Sequence, residues 1–337
     1  MQILDLPPHS NSWRTAIVTL DDIQAAQSRL QGVTVRTRLI EFPAGDRKLY
    51  LKPENQQPIG AFKLRGAYNK IAALPEQERK RGVISYSSGN HAQGVAYAAR
   101  ALGVKAVIVM PNNAPDIKRK ATAALGAEIV LVGPGSEERK IKAEELAQQH
   151  GYVVIPPYND EWIIAGQGTM GLEILEDLPE VQTVLVPVGG GGMISGVATA
   201  IKLSKPSVNV IGVEPELAAD AQASLRAGKV VEFTATEVTR TLADGLRTQS
   251  IGSINFEHIR RYVDDIITIS EDDIRNAMRL LARNQNTIAE PSGAVAVAGF
   301  LFHQDKLPRT NVNVAVISGG NIEPSMLEEL GSEASLT

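Results

Sequence analysis

The sequence predicts an α/β fold of two open, mostly parallel, twisted sheets flanked by helices. Three observations carry that expectation. Short β-branched runs alternate with helical stretches from residue 82 to about 155, a second such series runs from about 181 to 318, and a four-glycine run joins a strand to a helix near the head of the second series.

The first series opens with GVISYS, followed by the helical stretch HAQGVAYAARALG; KAVIVM and APDIKRKATAALG repeat the pair, and AEIVLV, another helix and YVVI complete it. The second begins with QTVLVPV, continues through VNVIGVE and closes with YVDDIITIS and NVNVAVIS, again with helices between. A Pro-rich turn at Pro156-Pro157 marks the expected junction between the two units. Thr19-Leu20-Asp21-Asp22 and Ser270-Glu271-Asp272-Asp273 place a hydroxyl three residues before a carboxylate ahead of amphipathic helices, so their acids are expected to cap helices rather than catalyse.

Composition narrows the function. At 337 residues, 43% apolar and 21% charged, the chain can bury a sizeable core. Its net charge of -4 and dispersed basic residues exclude nucleic acid and membrane as expected partners. There are no cysteines, which removes disulfides and thiolate chemistry and fits a reducing cytoplasm; the N-terminal MQILDLPPHSNSWR lacks a signal peptide's basic start and apolar run. The uncharged stretch Val181 to Ile201 is broken by Pro187 and the glycines, and reads as strand, turn and helix rather than a membrane span.

Gly189-Gly190-Gly191-Gly192 follows an apolar strand and precedes MISGVATAIKL. Glycines there let backbone N–H groups converge on an anion at a helix N-terminus, so a phosphate is the natural occupant. No register supplies the glycine spacing of a dinucleotide fingerprint, and no Gly-Lys-Ser/Thr follows, so a single phosphate monoester fits best. In PIGAFKLRGAYNK, Lys63 stands beside Phe62 at the start of a helix, where the helix dipole disfavours an ammonium. Either the amine points into water or an apolar pocket holds it neutral and nucleophilic, fit to form a Schiff base. A phosphate site with such a lysine suggests pyridoxal phosphate. Two further turns, Ser87-Ser88-Gly89-Asn90-His91 and Ser318-Gly319-Gly320-Asn321, lie beyond C-terminal strand ends, where open α/β sheets place ligands.

Taken in order, AFKLRGAYN, SSGNHAQGVA, IAGQGT, VPVGGGGMISG, GVEPELAAD, TLADGL, EPSGA and ISGGN resemble the fold-type II pyridoxal-phosphate enzymes, the tryptophan synthase β-like group. Within that group the set resembles the serine/threonine dehydratases, 3-hydroxyaspartate dehydratases and serine racemases. The resemblance implies a large cofactor-binding domain from residues 1–78 and 156–337, a small domain from 79–155, the cofactor between them, and a homodimer.

It also implies roles. Lys63 would be the Schiff-base lysine and the base for the Cα proton; Phe62 would pack on the cofactor ring and Asn90 would bond its 3'-oxygen. Gly189, Gly190, Gly191 and Gly192 with Met193 would hold the phosphate, and Ser318 would face the ring nitrogen. Ser88, Gly89, Asn90 and His91 would take the substrate carboxylate, approached also by Arg139, and Ser88 stands where racemases carry a second proton donor. Glu214, Asp220 and the Ala218 carbonyl resemble a divalent-cation site, and hard oxygen ligands suit magnesium or calcium; the same acids also suit a helix start. The activity implied is dehydration of a 3-hydroxy amino acid such as serine, threonine or 3-hydroxyaspartate to a 2-oxo acid and ammonia, with serine racemase as the close alternative. A nicotinamide-dependent dehydrogenase is favoured only by the α/β alternation and Glu214. Residues 155–162, with proline and Glu161-Trp162 where relatives commonly differ, leave the preferred substrate open.

Overall fold

The computed structural model describes residues 17–328 apart from 115, 134 and 286. Its strands are β1 (Ile40–Phe42), β2 (Lys48–Pro53), β3 (Val83–Tyr86), β4 (Ala106–Pro111), β5 (Glu128–Val132), β6 (Val153–Val154), β7 (Thr183–Pro187), β8 (Asn209–Pro215), β9 (Asp265–Ile269) and β10 (Val312–Ile317). They form a six-stranded sheet in the order β1-β2-β10-β7-β8-β9 and a four-stranded sheet in the order β5-β4-β3-β6. Only β1 and β2 pair antiparallel. The expected two-sheet architecture is the observed one; the hairpin β1–β2, absent from the sequence reading, extends the larger sheet.

Alternation of side chains gives that sheet two apolar faces. Leu185, Ile211, Val213, Ala315 and Ile317 pack on one side with Val295 and Phe300 of the Pro291–Phe302 helix. Val184, Val186, Val210, Val314 and Val316 pack on the other with Ile194 and Val197 of the Gly192–Ser204 helix. Between the sheets, the Lys63–Ala73 helix lies against the Asn90–Ala101 and Glu161–Asp177 helices. The contact is backbone to backbone: a Cβ at Gly166 would stand 2.6 Å from the Arg65 carbonyl oxygen.

Behind that helix lies a buried ionic cluster. The Arg65 guanidinium meets Glu54 through Nε (2.7 Å) and Nη2 (2.9 Å), and Glu173 through Nη1 (2.7 Å) and Nη2 (2.8 Å). Lys52 donates to Glu173 (2.6 Å) and to the Thr37 carbonyl (2.7 Å). Two cations thus face two anions, as buried charge requires. Burial alone would push the Arg65 guanidinium down; the two carboxylates override it and hold it up.

Both predicted helix caps form as reciprocal boxes, Thr19 with Asp22 and Ser270 with Asp273. No helix among the described residues is long and apolar enough to cross a membrane. The C-terminal ends of β3, β6, β7 and β10 open onto a common cleft of about 1080 Å³.

Candidate active site

Lys63 enters the cleft because the chain before it pairs with the turn after β10. Ala61 and Gly319 form an isolated bridge, Phe62 N–H donates to the Ser318 carbonyl (3.0 Å), and Gly320 N–H to the Gly60 carbonyl (2.9 Å). Gly60 has φ +70°, and a Cβ there would stand 2.5 Å from Asn321 Oδ1, so glycine is required on two counts. This stitching sets Phe62, and with it the start of the Lys63 helix, against Ser318 at the mouth of the same cleft.

Lys63 is the first residue of its helix and has no acidic partner among the described residues; its Nζ donates 2.8 Å to the Pro157 carbonyl and stands 5.1 Å from the centre of the Phe62 ring. Burial lowers its pKa to about 8. The ammonium still predominates near pH 7, but the neutral amine, the state a nucleophile needs, is far more accessible than for an ordinary lysine. The side chain is half-buried at the cleft wall, its amine turned to the Pro157 carbonyl.

The glycine run follows β7 and leads into the Gly192–Ser204 helix, with Gly191 left-handed at φ +89°. A Cβ at Gly190 would fall 2.3–2.4 Å from three ring atoms of Tyr158, and one at Gly192 3.0 Å from Tyr158 Cβ. The cradle is bare backbone at a helix N-terminus, roofed by Tyr158, with Met193 buried beneath. Such a cradle beside a lysine of lowered pKa fits a phosphorylated aldehyde.

Asn90 and Ser318 also line the cleft. Ser318 Oγ donates to the Ser292 carbonyl (3.2 Å). The Asn90 amide is held between Glu290 Oε1 (2.7 Å) and Asn321 Nδ2 (2.7 Å). Ser88 and Gly89 line the same cleft, where Gly89 precedes the Asn90–Ala101 helix and its N–H bonds Ser87 Oγ (3.3 Å). His91 is turned differently: its Nε2 bonds the Ile155 carbonyl (3.0 Å), and burial with the nearby Lys63 pushes its pKa down to about 3. A carbonyl only accepts, so the ring is neutral with Nε2 protonated. Arg139 is half-buried on the cleft wall; its one hydrogen bond is Nε to the Gly135 carbonyl (3.4 Å), and no carboxylate among the described residues pairs with it.

Glu214, at the end of β8, and Asp220, at the start of the Asp220–Ala227 helix, are neighbours apart from the cleft lining, with Ala218 in the short turn between them. Glu214 accepts the N–H groups of Ala221 (3.0 Å) and Gln222 (2.8 Å), so the helix-capping role is real for that residue. Asp220 differs: both of its carboxylate oxygens are buried without a well-formed hydrogen bond among the described residues, although its own N–H and that of Ile251 lie near enough to favour its ionised form. Burial and then Asp220 push Glu214 well up, and burial pushes Asp220 up to about 7. Two neighbouring buried carboxyls, one of them poorly hydrogen-bonded, fit a hard cation, which would favour their ionised forms.

The sequence reading placed Asn321 in a ligand-side turn and Tyr158 in a stretch beside the substrate without giving either a partner, and it gave Glu290, inside the EPSGA motif, no role at all.

An α/β protein whose strand ends gather a buried lysine of lowered pKa, a bare glycine cradle at a helix N-terminus and a serine fits the vitamin B6-dependent class. Residues 30–319 match the family of pyridoxal-phosphate dependent enzymes, and the chain belongs to that family. It is 46% identical over 321 residues to the L-threonine ammonia-lyase of Thermotoga maritima, covering 93% of this chain and 78% of that protein. It is 39% identical over 312 residues to the L-threo-3-hydroxyaspartate ammonia-lyase of Saccharomyces cerevisiae, covering 91% and 94%. Among solved structures, maize serine racemase superposes with a TM-score of 0.88 at 35% identity, covering 95% of this chain and 99% of that one.

Proposed function

We propose that this enzyme removes water from a 3-hydroxy amino acid (serine, threonine or 3-hydroxyaspartate) to give a 2-oxo acid and ammonia. The observation that carries the reading is the Lys63 amine, lowered to a pKa of about 8 and facing the same cleft as the glycine cradle. The likeness to threonine and 3-hydroxyaspartate ammonia-lyases supports the choice of reaction. Bound pyridoxal phosphate supplies an aldehyde for covalent attachment of amines and an electron-withdrawing ring that acidifies the substrate Cα–H.

The chain's own groups do the rest in this reading. Gly189 to Gly192 and Met193 hold the phosphate with backbone N–H groups; Phe62 packs on the ring and Asn90 donates to its 3'-oxygen. Ser318, by rotation about its Cβ–Oγ bond, turns its proton to the ring nitrogen. A hydroxyl there does not stabilise a protonated ring as a carboxylate would, which favours expulsion of the β-hydroxyl over storage of charge at Cα. Lys63 Nζ, neutral, receives the Cα proton. The backbone of Ser88 to His91 holds the substrate carboxylate; the His91 ring, committed to Ile155, does not.

Arg139, on the cleft wall with no carboxylate pairing it among the described residues, is read as able to approach the substrate carboxylate, and Ser88 with the cation site tilts the substrate toward 3-hydroxyaspartate and serine. Racemisation is the second reading, favoured by the unbonded Ser88 hydroxyl in the cleft: two proton carriers permit inversion where one gives elimination. Glu214, Ala218 and Asp220 are assigned to magnesium or calcium. The smaller sheet is taken as a domain spanning 79–155, the remainder as the cofactor domain, and the assembly as a cytoplasmic homodimer.

Incubating the purified, cofactor-loaded protein with D and L forms of the three hydroxy amino acids, with and without chelator, tests this. Formation of 2-oxo acid and ammonia, lost in Lys63→Ala, is the expected result; turnover of none of them refutes it. Enantiomer ratios that change in the wild type and not in Ser88→Ala would establish the racemase activity.

A further inference from the structure

Glu290 immediately precedes the Pro291–Phe302 helix, with the extended backbone of an N-cap (φ −68°, ψ 162°), yet its side chain makes no capping bond. An acid at that position normally accepts the helix's free N–H groups. Here the carboxyl turns into the cleft wall, 5% exposed, and takes a 2.7 Å hydrogen bond from Asn90 Nδ2. The turn after β10 is shaped around it. A Cβ at Gly319 would stand 2.5 Å from Glu290 Oε1, and Glu290 N–H donates to the Gly319 carbonyl (3.1 Å).

Asn90 is fixed from the other side by Asn321, whose Nδ2 donates to Asn90 Oδ1 (2.7 Å) and to the Ile59 carbonyl (2.9 Å). With its oxygen engaged by Asn321 and one N–H taken by Glu290, Asn90 keeps one N–H to donate into the cleft. The charged groups facing Glu290 are Asp244, from the turn behind the glycine run, and Lys118, from the Asp116–Ala124 helix, which pair with each other at 3.0 Å. Burial first, and then Asp244, push the carboxyl up to about 8, against the pull of Asn90, Lys118 and the Asn321 N–H.

We propose that Glu290 is a positioning residue which, by holding or releasing one proton, sets through Asn90 how much negative charge the cleft supports on the cofactor's 3'-oxygen. Neutral, Glu290 leaves the ring oxygen as the one anionic centre on Asn90's amide. Ionised, it competes for the same amide and sets a second negative charge one residue away. The proposal rests on the reading of Asn90 as partner of that oxygen, and the test separates the two.

The visible absorption band of the cofactor-loaded protein is recorded from pH 6.5 to 9.5 for the wild type, Glu290→Gln and Asn90→Ala. Glutamine keeps an acceptor for Asn90 and removes the proton, so a structural role alone would leave the titration as it was. The wild-type band should change in position or intensity with a midpoint of about 8. Glu290→Gln should keep the band and lose that transition, and Asn90→Ala should shrink it even with Glu290 in place. A Glu290→Gln transition with wild-type midpoint and amplitude overturns the proposal while leaving Asn90's assignment intact. A band that Asn90→Ala leaves unaltered at every pH removes Asn90 from the ring oxygen, and the proposal with it; this arm decides the matter even if Glu290→Gln does not fold.

Discussion

The ring of Tyr158 occupies the space that a side chain at residue 190 would need. Cδ1, Cε1 and Cγ all lie 2.3–2.4 Å from the Cβ position of Gly190. The contact joins the stretch after β6 in the smaller sheet to the helix N-terminus after β7 in the larger one. Gly190→Ala must therefore either displace Tyr158 or move the cradle. The expected cost is about 1–3 kcal/mol of stability, as for other overpacked sites, and about tenfold in cofactor affinity. Thermal unfolding and cofactor titration measure both; wild-type values for each would show that the two segments yield freely.

Much of this architecture is legible in the sequence, because β–α alternation and the strand-to-helix glycine run are local signals. The β1–β2 hairpin is not. β1 has three residues, and β2 carries Lys48 and Lys52, which read as a solvated segment. Lys52 is buried only because Glu173, 121 residues away, supplies its counter-charge. The same holds for the site. Lys63, the glycines, Asn90 and Ser318 stand out by residue type and turn position, whereas Glu290 looks like a helix cap until Asn90, 200 residues away, is seen beside it. Long-range partners decide what such polar residues do, and no local pattern encodes them.

Lys63 makes stability and function oppose one another. Its pKa is about 8 folded against 10.5 for an ordinary lysine, so the unfolded chain binds the proton more tightly and the folded, cofactor-free protein loses stability as pH falls from about 10.5 to 8. Below pH 8 the full cost is present. Because the side chain borders the cleft, we set that cost at about 1–2 kcal/mol, below what the whole displacement would give. Lys63→Met should abolish turnover and yet stabilise the cofactor-free protein at pH 7 by this amount, with the gain gone above pH 10.5. Denaturant unfolding of the two proteins at pH 7 and pH 10.5 measures it, and a Met variant less stable at pH 7 would contradict it.

Arg65 answers two carboxylates at once. Replacing it with methionine keeps much of the volume and leaves Glu54 and Glu173 with Lys52 as the single cation. Breaking a buried pair in this way costs about 3–5 kcal/mol, because the remaining charges stay desolvated. The Lys63–Ala73 helix begins two residues before Arg65, so the cofactor site should loosen as well. Urea unfolding should show the loss at unchanged slope; a loss under about 1 kcal/mol would mean that water or a shifted side chain replaces the guanidinium.

Asp220 leads to an opposite pair of outcomes in one variant. Its poorly hydrogen-bonded carboxyl and the neighbouring Glu214 disfavour each other's ionised form in a buried space, so without a cation the pair is held at a cost in stability. A bound magnesium or calcium ion would reverse that, adding about 2.7 kcal/mol at a hundredfold excess over its dissociation constant. Asp220→Asn removes one charge and much of the repulsion. In chelator it should be more stable than the wild type, and in millimolar magnesium or calcium less so, because only the wild type gains from the ion. Melting temperatures of both proteins in the two buffers provide the comparison. A wild type indifferent to either ion would leave Asp220 as a buried acid with no cation to answer it, and the variant's advantage in chelator would then persist in every buffer.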